Sequence, residues 1–124
     1  MTSRIPWNLL RLTLFTKKDC SLCQTASLNA VNWRLVETGN KAQYKSVDIF
    51  GPGNEKWHDA YVFDVPVISI NQISLNTKMD DEQLHIENEN EPSKILKLMH
   101  RFTEDEIGAK VRELGFGDPP LKSD

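Results

Sequence analysis

A chain of 124 residues, 39% hydrophobic and 27% charged, has room for one hydrophobic core and not for two. Its 15 Lys and Arg against 18 Asp and Glu leave a net charge of -3, so no basic excess is available to neutralise the phosphates of a nucleic acid. The longest apolar run is four residues, Ala60 to Phe63, too short to cross a membrane, and the composition is not that of a collagen, a coiled coil or a wholly disordered chain.

The N-terminal stretch has no apolar h-region and no small-residue cleavage site, and Arg4 and Arg11 are too few for a transit peptide. The first strong element is a strand over Leu9 to Thr16. Leu10, Leu12 and Leu14 alternate with Arg11 and Thr13, and Leu9 and Phe15 add apolar weight to the second face, as expected of a strand covered on both sides. Ser21 to Thr38 reads as a helix, with Gly39 placed to end it at C′. Leu22, Ala26, Ala30 and Trp33 form one apolar stripe along it, and Leu28, Val31 and Leu35 form a second, which predicts a broadly buried helix.

Tyr44 to Ile49 is the second expected strand. Gly51, Pro52 and Gly53 break the chain, and Asn54 can cap a short helix carrying Trp57, Ala60 and Tyr61. Pro66 to Ile70 follows as a third strand. Residues 71 to 93 set Lys78 against Asp80, Asp81, Glu82, Glu87, Glu89 and Glu91, a local balance of -5, and hold five apolar residues in 23. Such a segment cannot bury enough surface to offset its ordering and is expected to be an acidic insertion. Ile95, Leu98, Met99 and Phe102 fit a helical period, whereas Leu96, Leu98, His100 and Phe102 alternate. The capping box Thr103-Glu104-Asp105-Glu106 decides in favour of a strand over 94 to 102, because a helix already in progress needs no new cap. Ile107, Val111 and Leu114 give the last helix one apolar face, Gly115 ends it, and residues 117 to 124, with Pro119 and Pro120, are expected to form a loose tail.

The expected order is therefore β-α-β-α-β-β-α in one domain, its core at about 9 to 115. The fold class is α/β, a four-stranded mixed sheet flanked by three helices. The first two strands, joined by a helix, should run parallel, and the third and fourth, joined without one, antiparallel.

The chain has two cysteines, Cys20 and Cys23, at the junction of the first strand and first helix. A two-residue spacing closes almost no loop and makes a poor structural staple, so redox chemistry is the first reading. The first helical turn offers unpaired N–H groups and the positive end of the macrodipole, which would hold a Cys20 thiolate below the ordinary thiol range. Cys20 would then attack a disulfide and Cys23 resolve the mixed intermediate. Lys17 and Lys18 add positive charge, and Asp19 opposes it. A metal role would need four ligands, and His58, His85 and His100 are scattered with no second motif, so no metal site is expected. A binding module that merely accommodates the cysteines is the third reading. Trp7, Trp33 and Trp57 read as packing residues, and His100 and Arg101 as strand residues.

Leu12 to Cys23 (LTLFTKKDCSLC), Asp64-Val65-Pro66-Val67 and the strand–helix order together resemble the glutaredoxin branch of the thioredoxin fold. The nearer resemblance is to small eukaryotic glutaredoxin-like proteins with an FTK-x-x-C-x-L-C segment, whose second fingerprint is matched by His100-Arg101-Phe102-Thr103-Glu104-Asp105. The likeness runs from Leu9 to Leu114 without the insertion. It implies thiol–disulfide exchange by Cys20 and a cis Val65–Pro66 peptide facing the cysteines and offering backbone groups to a peptide or to glutathione. It also implies a substrate-facing role for Lys17, Val65, Pro66, Thr103 and Asp105. Ser21-Leu22 stands where dithiol glutaredoxins have Pro-Tyr, and the Gly-Gly-x-Asp segment that helps hold glutathione is absent. The expectations are an oxidoreductase on protein or glutathione mixed disulfides, monomeric and cytoplasmic, with a mitochondrial location as the other option. It would have no tightly bound cofactor, glutathione as co-substrate and a cellular thiol reductant. The alternative is a non-catalytic adaptor that binds a partner through its acidic insertion.

Overall fold

Strand β1 (Leu10–Thr16) lies at the centre of the sheet because both of its faces are apolar where it counts. Leu10, Leu12 and Leu14 are fully buried on one face and Phe15 is buried on the other. The computed structural model describes residues 5–73 and 95–117. Helix α1 (Ser21–Thr38) returns the chain to β2 (Gln43–Asp48), which pairs parallel with β1. Helix α2 (Glu55–Tyr61) leads to β3 (Val67–Gln72), antiparallel to β1, and β4 (Ile95–Met99) is antiparallel to β3. Helix α3 (Glu104–Glu113) follows, and the sheet order is β2-β1-β3-β4. The expected architecture of a four-stranded mixed sheet with three helices is the observed one.

Register divides the core into two layers. Leu12 opposite Ile70 and Leu14 opposite Ile68 present one apolar face, onto which α1 brings Ala26, Ala30 and Trp33 and α3 brings Ile107 and Val111. Phe15 opposite Val67 presents the other face, and with Val47 and Ile49 it meets Tyr61 and Trp57 of α2. Trp7 and Trp33 pack edge to face at 5.7 Å, and Phe15 lies 4.9 Å from Trp57 and 4.8 Å from Tyr61, so the three tryptophans do pack.

Several boundaries depart from the sequence reading. Leu9 belongs to a single 3₁₀ turn (Trp7–Leu9), not to β1, and the second strand starts and ends one residue early. Helix α1 has the expected ends, with Gly39 left-handed at φ 62°, but it is buried on one side only. Leu28 is 71% exposed and Val31, Leu35 and Val36 are also exposed, because α2 packs on the opposite face of the sheet and α3 takes the Ala30–Trp33 side. Strand β3 continues through Asn71 and Gln72, residues assigned above to the insertion. Asn71 is buried: its Oδ1 accepts from Ser69 Oγ at 2.9 Å, while its Nδ2 has no partner among the described residues. The remainder of the acidic insertion, 74 to 93, lies outside the described residues, as does residue 94 of the expected fourth strand. Strand β4 stops at Met99, since His100 turns left-handed at φ 65°, so His100 and Arg101 are loop residues. Asn54 precedes α2 as expected, yet its Nδ2 donates to the Asp48 carbonyl and not to the helix. Gly117 is tied down by its N–H donating to the Ile5 carbonyl at 3.1 Å, and the tail beyond it lies outside the described residues.

Helix α3 holds a glycine where alanine would ordinarily be the better former by about 1 kcal/mol. A Cβ on Gly108 would lie 3.0 Å from Trp33 Nε1 and 3.1 Å from Arg112 Nη2. The Trp33 indole is wedged in the core against Trp7 and cannot yield freely, so overpacking of about 1–3 kcal/mol outweighs the propensity gain. Gly108→Ala is expected to lower the melting temperature by several degrees. A rise would mean that the Trp33 side of α3 is loosely packed.

Candidate functional site

Four strand ends meet at one edge of the sheet, and their register assembles the site. β1 ends at Thr16 and runs through Lys17, Lys18 and Asp19 into Cys20. β2 ends beside it, with the Ile49 N–H donating to the Thr16 carbonyl at 2.9 Å. β3 begins opposite Phe15, so the Val65–Pro66 segment faces the start of the cysteine loop, and this bond is cis. β4 ends with the His100 N–H on the Pro66 carbonyl at 2.8 Å. Asp19 adopts φ 56°, a left-handed conformation that aspartate tolerates better than most residues, and this turn delivers Cys20 to the head of α1.

Cys20 is the N-cap of α1, and its Sγ accepts the Cys23 backbone N–H at 3.1 Å. Helix N-caps are usually serine, threonine, aspartate or asparagine, so here sulfur takes the place of oxygen. A thiolate in that position faces unpaired amides and the positive end of the helix dipole. Cys20 and Cys23 form a disulfide with their Cα atoms 5.2 Å apart, within the usual range. Cys20 is half-buried, whereas Cys23 is 3% exposed among the core residues of α1. Cys20 is thus the more accessible residue of the pair and Cys23 the sheltered one.

Lys17 and Lys18 are exposed and border a depression shared with Asp19, Asp48 and Phe50, a residue 60% exposed. Among the peptide groups around the cis bond, the Val65 N–H donates to the Tyr61 carbonyl at 3.1 Å and the Pro66 carbonyl accepts from His100. Among the described residues the Val65 carbonyl accepts no backbone hydrogen bond. Asp64 Oδ1 lies 3.8 Å from His100 Nε2, a juxtaposition absent from the sequence reading that joins the two motifs at 64–67 and 100–105.

On the other side of the cysteine loop, a groove of about 260 Å³ runs from Leu22, between the cysteines, along α1 to Thr103 and Glu106 at the head of α3. Asn29 Nδ2 donates to the Phe102 carbonyl at 3.0 Å and fixes the two walls together. The capping box is complete: Thr103 Oγ1 accepts the Glu106 N–H at 3.2 Å, and the Glu106 carboxylate accepts the Thr103 N–H at 3.0 Å. Thr103 therefore uses its polar atoms locally, and Asp105 is exposed on the first turn of α3. The groove-lining part of Glu106 was not visible in sequence, where it read as a cap alone.

Among the described residues no group of three or more His, Cys, Asp or Glu could hold a metal ion, and no helix is long and apolar enough to cross a membrane. A family model, the glutaredoxin-like domain (DUF836), matches residues 11–112. Among solved structures, chloroplastic thioredoxin z is similar over 86% of this chain and 79% of its own, at 10% identity and a TM-score of 0.57. The structure of a malarial protein is similar over 84% of this chain and 94% of its own, at 16% identity and a TM-score of 0.54. At such identities the likeness is one of fold.

Proposed function

The chain belongs to the glutaredoxin-like domain family, and from that premise we propose that it is a thiol–disulfide oxidoreductase acting on protein or glutathione mixed disulfides. The observation that carries this reading is the placement of Cys20 Sγ at the head of α1, accepting a helix N–H, with Cys23 within disulfide reach behind it. A structural staple would have no use for a half-exposed sulfur in that position.

In the dithiol form the Cys20 thiolate attacks one sulfur of a substrate disulfide. A Cys20–substrate disulfide forms, and the departing thiolate takes a proton from solvent. Cys23 then loses its proton and attacks Cys20 Sγ, expelling the second substrate thiolate and closing the Cys20–Cys23 disulfide. Two electrons pass from the dithiol to the substrate, and a cellular thiol restores the pair. Lys17 and the Val65–Pro66 segment border the incoming substrate, and Thr103 lines the far end of the groove, with Asp105 exposed on the same helical turn, where a bound glutathione would end. No tightly bound cofactor enters this scheme.

The test is reduction of a glutathionylated model peptide by the full chain, with dithiothreitol as the recycling reductant. Turnover well above the rate with dithiothreitol alone is expected. A rate no different from dithiothreitol alone would leave a non-catalytic binding module as the better reading.

A further inference from the structure

A thiol or disulfide that reaches Cys20 must rest its remaining atoms on the protein, and the groove from Leu22 to Glu106 is the surface built to receive them. Its walls are tied by the Asn29–Phe102 hydrogen bond, and Ala26 and Phe102 are buried beneath it. The groove ends at the N-terminus of α3, where free amides and the helix dipole would ordinarily draw a carboxylate. Here that end is closed from within. The Glu106 carboxylate takes the Thr103 N–H at 3.0 Å and lies 3.3 Å from Thr103 Oγ1, while Thr103 Oγ1 takes the Glu106 N–H. Glu104 and Asp105 share the same turn, with Glu104 Oε2 held by Asn32 Nδ2 at 2.9 Å. His100 and Arg101 also line the groove and carry what positive character it has.

We propose that Glu106 is a specificity-determining residue: its carboxylate turns the groove against glutathione and other small anionic thiols and leaves it to the uncharged or cationic segment flanking a protein disulfide. This deepens the thiol–disulfide reading and rests on it. Glutathione carries two terminal carboxylates, and a glutathione laid along the groove toward α3 would bring one of them beside Glu106, where the Thr103 and Glu106 amides are already taken. At solvent-exposed separations of several ångströms, such a like-charge contact weakens reaction by roughly tenfold.

The experiment uses the full reduced chain and follows its loss of thiols to glutathione disulfide and to neutral bis(2-hydroxyethyl) disulfide. In each case the protein dithiol gives two electrons and two protons to the oxidant, which becomes two thiols. Glu106→Gln keeps an acceptor for the Thr103 N–H and so keeps the cap. It is expected to raise the rate constant with glutathione disulfide about tenfold relative to that with the neutral oxidant. With the unaltered chain, esterifying the carboxylates of glutathione disulfide should give a similar gain, a comparison that needs no variant. Equal rates before and after both changes, with the neutral oxidant reacting normally, would overturn the role of Glu106 and leave the oxidoreductase reading intact. Failure to react with either oxidant would overturn both.

Discussion

Replacing Cys20 with serine is expected to abolish disulfide reduction outright, whereas replacing Cys23 with serine is expected to stop the reaction halfway. A serine hydroxyl at the head of α1 can still accept the Cys23 N–H, so the cap and the fold survive Cys20→Ser. What disappears is the sulfur that attacks. Cys23 cannot take over, since at 3% exposure it sits behind Cys20 with no access for a substrate disulfide. Cys23→Ser keeps the exposed nucleophile and removes the resolving thiol, so a covalent Cys20–substrate adduct should accumulate and be visible by intact mass. Release of that adduct by added glutathione would reveal monothiol turnover, and the acidic end of the groove makes this slow. An active Cys20→Ser variant would place the chemistry elsewhere.

Phe15→Ala is expected to cause the largest loss of stability. Phe15 is 2% exposed and is the ring around which Trp57 and Tyr61 gather, with Val47 and Val67 alongside. Removing it empties the centre of the smaller core layer, at a cost of about 3–5 kcal/mol. Domains of this size hold only about 5–15 kcal/mol in total, so the variant should melt more than 10 °C lower and unfold at clearly lower denaturant concentration. Because Phe15 directly precedes Thr16 and pairs with Val67, next to the cis proline, the loss should also loosen the end of the sheet that carries Cys20. A change below about 1 kcal/mol would show that the α2 layer packs on the sheet more weakly than its contacts imply.

What was legible in the sequence was local. The capping box from Thr103 to Glu106 and the glycine after Thr38 are decided within a few residues: the first starts α3 and the second ends α1 where expected. The cysteine pair at a strand–helix junction was equally readable, since its chemistry depends on the first turn of one helix. The cis Val65–Pro66 peptide came from the resemblance and not from the residues themselves. What failed depended on distant parts of the chain. The Leu28–Val31–Leu35 stripe is apolar enough to be buried, and only the arrangement of α2 and α3 decides that nothing among the described residues covers it. Asn71 looked like the start of a polar insertion because its partner Ser69 lies on its own strand, and its burial comes from the sheet. The groove ending at Glu106 exists because α1 and the segment before α3 approach each other across more than seventy residues of sequence, through Asn29 and Phe102. No periodicity records such a contact.

The central claim is that the fold makes Cys20 the nucleophile, and the most direct measurement is the pH dependence of alkylation at each cysteine of the reduced chain. Peptide mapping after limiting iodoacetamide should find Cys20 modified first, with a rate that inflects below the value of about 8.5 typical of a free thiol. Cys23, buried at 3% exposure, should react slowly and inflect higher. If Cys23 is the faster and more acidic thiol, the helix N-terminus is not activating Cys20 and the mechanism is wrong.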